Sequence, residues 1–231
     1  MGIRPTLTGL SREIMTTAPA PARTAKKSTA RDLAQIAVFA ALIAGLTLPG
    51  AIPVGVGVPI TLQTLGVMLA GALLGARKGA LAVLVYVVLG LAGLPILAGG
   101  MGGLGVLAGP TGGFLLGFIP GAFVIGWLAA RLTPRLRFWP LLAAVAIGGV
   151  LVVYLVGLPW LAVVTGLPFG QAFLVGALPF LPGDLVKVVI AAAVAAAVHR
   201  AWPGLIEPRD WPWRRSRATG ATDIAAPADG V

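Results

Sequence analysis

Six apolar runs, at roughly 33–51, 60–76, 79–95, 112–131, 138–158 and 171–199, limit what this chain can fold into more than any other feature. Each is close to or above the ~20 residues with which a helix crosses a bilayer. Composition agrees, with 58% hydrophobic residues, 10% charged ones and a mean hydropathy of +0.98, so lipid rather than water is the solvent for most of the protein. The expected fold is all-α: a polytopic six-transmembrane-helix bundle over residues 32–200, with disordered tails at 1–31 and 201–231 that are rich in Pro, Thr, Ala and Arg. Arg23, Lys26, Lys27 and Arg31 lead directly into the first run, which shows no convincing cleavage site and is expected to remain in the mature protein.

Charge placement orients these helices. Arg77 and Lys78 fall between the second and third runs, Arg131, Arg135 and Arg137 between the fourth and fifth, and Arg200 after the sixth, while segments 52–59, 96–111 and 159–170 hold no charge. The positive-inside rule assigns both tails and the two basic connectors to the cytoplasm and the three uncharged connectors to the outside. The protein is thus expected to be multi-pass in the cytoplasmic membrane. The net charge of +10 then reflects topology and contact with the lipid bilayer, with no nucleic-acid partner. Trp127, Trp139 and Trp202 fit the interface belt on the same side.

The outer connectors are apolar yet rich in glycine and proline, from Pro49 to Pro59 and from Gly99 to Gly113. Irregular backbone near the hydrocarbon is tolerated where it is covered by protein or lines a cavity, so these loops are expected to fold over a pocket as lids. Plain tight turns are the alternative. Gly100-Met101-Gly102-Gly103-Leu104-Gly105 matches GxGxxG, but it follows a membrane helix and has no acidic residue about 20 positions later, so it is not a dinucleotide fingerprint. Gly71–Lys78 lacks the spacing and the hydroxyl of a phosphate-binding loop, and the chain has no ATPase motif of that kind.

Between Asp32 and Glu207 the only carboxylate is Asp184, within Leu181-Pro182-Gly183-Asp184-Leu185-Val186-Lys187. A charge at membrane depth is unfavourable by about 2.5–3.5 kcal/mol on insertion scales, so such residues face a bundle interior or a wet cavity. Asp184 stands about 22 Å along a helix from His199 at the cytoplasmic flank, which puts it some 8 Å inside a ~30 Å core, beneath the outer loops. Pro182 and Gly183 favour a helix start that leaves Asp184 in the first turn, with Lys187 at i+3 on the same face. The pair either neutralises itself as a structural ion pair or binds a solute. A carboxylate beside an ammonium suits a neutral head with adjacent N–H and C=O groups, such as a urea or amide, or places the lysine against a carboxylate tail.

Few other polar groups occur in the spans. Gln63, with Thr61 and Thr64, lies near the outer end of the second helix, and Thr111 near that of the fourth; these could complete a polar ring, or the threonines could bond their own backbone. Tyr86 in mid-helix is either a stacking wall or a packing residue. Candidate substrate-binding residues are therefore Asp184, Lys187, Gln63, Tyr86 and Thr111, together with the loop glycines Gly102, Gly103, Gly112 and Gly113. Catalytic readings lack parts. No serine, asparagine or cysteine occurs between Ser28 and Ser216, and the single histidine, His199, follows the last span. One histidine and no cysteine also make no metal cluster. Small residues at four-residue spacing, Ala37 with Ala41 and Ala40 with Ala44, allow close helix contacts within the bundle or with another membrane protein.

Three stretches in order, Val58-Pro59-Ile60-Thr61-Leu62-Gln63-Thr64-Leu65-Gly66, Gly109-Pro110-Thr111-Gly112-Gly113-Phe114 and Pro182-Gly183-Asp184-Leu185-Val186-Lys187, resemble the BioY family, as do the joining Gly75-Ala76-Arg77-Lys78-Gly79 and Gly93-Leu94-Pro95. The resemblance runs from about residue 33 to 200. It implies the biotin-binding substrate component of an energy-coupling factor (ECF) transporter, a six-helix bundle that captures biotin near the outer face. Asp184 and Lys187 would be polar contacts. It also implies that alanines of the first helix, Ala37, Ala40, Ala41 and Ala44, meet a transmembrane coupling protein that carries two ATPase subunits. No cofactor is implied beyond the ligand itself, and a homo-oligomer stays open. Many relatives have Tyr where this chain has Phe114, and some have a basic residue where it has Leu115, so Lys187 could serve either the valerate end or the ureido carbonyl. The rival readings are a proton-coupled secondary carrier in which Asp184 titrates and, more weakly, a membrane scaffold that transports nothing.

Overall fold

The computed structural model describes residues 26–48, 52–54, 58–132, 137–202 and 205–206. The tail segments 1–25 and 207–231, and Arg135 of the second basic connector, lie outside the described residues. In chain order come helix α1 (Lys26–Thr47), strands β1 (Ile52–Val54) and β2 (Val58–Ile60), α2 (Gln63–Leu91), 3-10 turns at Ala98–Gly100 and Leu104–Val106, and α3 (Gly112–Leu132). Then follow α4 (Phe138–Ala146), a π-helical segment (Ile147–Val152), α5 (Val153–Thr165), the short α6 (Phe169–Gly176) and α7 (Leu181–Ala201). Among the described residues five helical segments, Ala30–Thr47, Gln63–Leu91, Gly112–Leu132, Phe138–Thr165 and Leu181–Ala201, are long and apolar enough to cross a membrane. Their outward faces carry apolar side chains such as Leu33, Val38, Leu81, Leu155 and Val163, as helices with lipid on one side and packing on the other require.

The second of these segments is folded in half. Gly75 interrupts it at φ 80° and ψ −178°, a conformation that glycine alone adopts readily. On a continuous helix Gln63 and Tyr86 would stand about 34 Å apart, yet Gln63 Nε2 donates to Tyr86 Oη at 2.7 Å. Limb 63–74 therefore runs antiparallel to limb 76–91. Gly79 packs so closely on the first limb that a Cβ would come within 2.7 Å of the Ala70 carbonyl oxygen. The expected runs 60–76 and 79–95 fall on these two limbs, and the turn comes at Gly75, where the backbone is free to reverse, just ahead of the basic Arg77 and Lys78.

Contacts at this turn gather the basic end of the bundle. Lys78 Nζ donates to Asp32 Oδ1 at 3.1 Å and to Gln35 Oε1 at 3.2 Å, tying α1 to the turn. His199, near the end of α7, donates from Nε2 to the Ala72 carbonyl at 2.8 Å. That carbonyl is among the last four of its limb, which a helix end leaves without an intrahelical partner. Arg131 closes α3 with its guanidinium 3.5 Å from the centre of the Trp127 ring.

Other boundaries differ from expectation for local reasons. The connector between α1 and α2, expected to be irregular, contains an antiparallel hairpin that pairs Ile52 with Ile60 and Val54 with Val58. Helix α1 begins at Lys26, inside the stretch read as tail. The single run expected at 171–199 is divided into α6 and α7: Pro179 biases Leu178 away from helical backbone, whereas Pro182 fits the first turn of a new helix. Helices α4 and α5 join through the π-helical segment into one stretch that reaches Thr165, past the expected end at 158.

Candidate functional site

At the end of the bundle away from Lys78 and His199, strand β2, the α2–α3 connector and helices α2, α3, α5 and α7 surround a cavity. It holds about 660 Å³ of space between atoms, open solvent at its mouth included. Helix α7 starts at Leu181–Pro182 and so presents Asp184 in its first turn and Lys187 one turn on, facing the same way. Lys187 Nζ donates to Asp184 Oδ1 at 2.9 Å and to Thr64 Oγ1 at 3.0 Å, and Tyr154 Oη donates to Asp184 Oδ2 at 2.6 Å. Asp184 and Lys187 are only 5% and 7% exposed. Because a carboxylate offers about four acceptor positions and an ammonium three donors, the cluster keeps bonding capacity toward a solute. The rest of the wall is largely apolar, with Leu97, Met101, Phe114, Leu115, Phe118 and Phe180. Phe114 packs edge-on to Tyr154, centroids 6.1 Å apart.

Behind this wall Tyr86 is fully buried. Its hydroxyl accepts from Gln63 Nε2, donates to the Ile96 carbonyl at 3.0 Å and lies 3.4 Å from Thr47 Oγ1. One phenol thereby links the first limb of α2, the α2–α3 connector and the end of α1. Trp160 Nε1 makes a comparable link from α5 to the Gly109 carbonyl at 3.2 Å.

A family model described as the BioY family matches residues 19–204. The chain belongs to the BioY family. It is 48% identical over 179 residues to a biotin transporter BioY of Rhizobium etli, covering 75% of this chain and 95% of that protein. It is 47% identical over 191 residues to the biotin transporter BioY of Rhodobacter capsulatus, covering 78% and 98%. Its fold matches a crystal structure of the S-component for biotin from an ECF-type ABC transporter, with a TM-score of 0.72 at 31% identity over 77% of this chain and 95% of that one.

In this BioY-family chain the fold brings Asp184, Lys187, Gln63 and Thr111 to the cavity together. Tyr86, Gly102, Gly103, Gly112 and Gly113 do not line it. Tyr86 is engaged as the buried link just described, Gly112 lies against the Leu107 backbone and Gly113 against Trp160, and Gly102 packs on the Leu94 carbonyl. Gly103, at φ 92°, has open space beside it and serves the backbone of the loop. Of the four alanines, Ala37 and Ala41 are exposed, Ala40 is buried and Ala44 is intermediate. The α1–α2 and α2–α3 connectors both reach the cavity, through Val58, Pro59, Ile60 and Thr61 and through Leu97, Ala98, Met101 and Val106.

Thr64, read from the sequence as a possible member of a polar ring, bonds Lys187, whereas Tyr154 is a polar partner of Asp184 that the sequence reading did not single out. A signal for Tyr154 was present: it is one of two tyrosines in the chain, a buried phenol needs a partner, and Asp184 is the sole carboxylate at that depth. Leu97, Phe114, Phe118 and Phe180 carry no such signal, because apolar side chains are everywhere in these spans. Among the described residues no three His, Cys, Asp or Glu side chains converge as metal ligands would.

Proposed function

We propose that this chain captures biotin at the outer side of the cytoplasmic membrane and serves as the substrate-specific component of an ECF-type transporter. The observation that carries the reading is the Asp184–Lys187–Tyr154–Thr64 cluster buried in an otherwise apolar cavity, in a family whose relatives are biotin transporters. The ureido group of biotin is neutral, has two N–H donors beside a carbonyl, and complements a carboxylate and an ammonium side by side. Its fused rings and alkyl chain match the Phe, Leu and Met wall.

In this reading residues 32–200 form the membrane domain with six spanning segments, two of them the limbs of α2, and both termini are cytoplasmic. Val58–Thr61 and Leu97–Val106 close over the bound vitamin. Gln63 and Thr111 contribute polar contacts at the wall, and no cofactor takes part. Ala37 and Ala41, exposed on α1, dock a transmembrane coupling protein, and energy comes from its two ATPase subunits.

The test is uptake of labelled biotin by cells that express this chain with and without an ECF module. Uptake that follows the module and persists when an uncoupler is added while ATP is maintained supports the proposal. Uptake that collapses with the uncoupler while ATP holds identifies a proton-coupled carrier built on Asp184. A folded chain that neither binds nor transports biotin would sink the biotin assignment and leave a pocket for another ligand; a scaffold would bind no ligand, and its Asp184→Asn variant would change only in stability.

A further inference from the structure

The cavity contains one carboxylate and one ammonium, and each already faces the other at 2.9 Å. From Leu33 to Ala201 every other charged side chain, namely Arg77, Lys78, Arg131, Arg135, Arg137 and Arg200, belongs to the opposite, basic end of the sequence pattern. The connector residues 49–51 and 55–57 read Pro-Gly-Ala and Gly-Val-Gly and add no charge. The lining also includes Ile60, Thr61, Met101, Val106 and Thr111, none of them charged. Met101 is 41% exposed there, in contrast to the buried Asp184 and Lys187.

Among the described residues that line the cavity, an anionic ligand tail therefore meets no cation other than Lys187. If it approached Lys187, it would have to share that ammonium with Asp184 and bring two carboxylates close together in an enclosed site, which is unfavourable. If it stays at the mouth, it keeps its water and gains little from distant charges. Only a neutral head leaves the Asp184–Lys187 pair balanced while bonding both members.

We propose that this pocket reads the ureido head of its ligand and not the carboxylate, so that carboxyl-capped biotins, its amides and esters, belong to its ligand class alongside the free acid. Leu115, at the wall beside Phe114, is one of the positions that leave the tail without a cation. The inference rests on the biotin reading and extends it to the other end of the molecule.

The test is competition between labelled biotin and unlabelled biotin or biotinamide on the purified full-length chain in detergent, for wild type and for Lys187→Met. Biotinamide is expected to compete within about tenfold of biotin, and Lys187→Met, where it still binds, is expected to weaken both ligands alike. Biotinamide weaker by more than about tenfold in the wild type, or a Lys187→Met variant that loses affinity for biotin alone, would show that the lysine holds the carboxylate and overturn the inference. The wild-type comparison stands even if the variant does not fold. Absence of saturable biotin binding by folded wild type is a different failure, that of the biotin reading itself, and it removes this inference too.

Discussion

Gln63 and Tyr86 are 23 residues apart on what is formally one helix, and they are joined by a 2.7 Å hydrogen bond across its fold. The same hydroxyl donates to the Ile96 carbonyl, so the link extends to the α2–α3 connector, which supplies Leu97, Ala98 and Met101 to the cavity. Tyr86→Phe keeps the ring but leaves the Ile96 carbonyl without this donor and Gln63 Nε2 without this acceptor. The expected result is a loss of about 1–3 kcal/mol, seen as a lower melting midpoint in detergent, together with faster biotin dissociation because the connector is less firmly held. Unchanged melting and dissociation would contradict this role.

Gly75 tests the fold of α2 itself. Its φ of 80° is unfavourable for a side-chain-bearing residue, although a Cβ there would meet nothing closer than Ile206 at 3.5 Å. Gly75→Ala is therefore expected to destabilise the chain by about 1–3 kcal/mol through backbone strain alone. Gly45→Ala is the control: it lies in α1 with open space around it, and is expected to be neutral or stabilising by up to about 1 kcal/mol. Thermal unfolding of the two variants side by side checks both.

Tyr154→Phe removes the 2.6 Å donor to Asp184 Oδ2 while preserving the ring that packs on Phe114. A hydrogen bond to a charged group contributes about 1.5–3 kcal/mol, so biotin affinity is expected to fall roughly tenfold or more. Equilibrium binding measured beside a melting curve separates this from loss of fold. Wild-type affinity would mean that Tyr154 does not orient the carboxylate.

The alanines of α1 divide by exposure. Ala37→Leu and Ala41→Leu alter an outward face and are expected to leave stability and biotin binding in detergent intact while abolishing module-driven uptake. Ala40→Leu intrudes on a buried contact and is expected to destabilise the bundle by about 1–3 kcal/mol. Binding and uptake assays on the three variants distinguish docking from packing.

These residues also show what the sequence makes legible. Asp184 and Lys187 stood out because charge at membrane depth is rare and needs a reason, and Pro182 marked the start of their helix. The limits of α3 followed from an apolar run with glycines before it and Arg131 at its end. By contrast, the division of the run at 171–199 depended on Pro179, a single residue inside an apolar stretch. Tyr86 could be read as wall or packing because its three partners, Thr47, Gln63 and Ile96, converge only when α2 folds back. Phe114, Phe118 and Phe180 were hidden for a simpler reason: in lipid, a wall of a pocket and a face toward the bilayer use the same side chains.

The most direct test is equilibrium binding of labelled biotin to the purified chain in detergent, comparing wild type with Asp184→Asn after both are shown to be folded. The account predicts saturable binding by wild type and a loss of roughly 100-fold or more in Asp184→Asn, since the ureido group loses its charged acceptor and Lys187 loses its counter-ion. Equal affinity in the two proteins would contradict the claim that the Asp184–Lys187 cluster is where biotin is held.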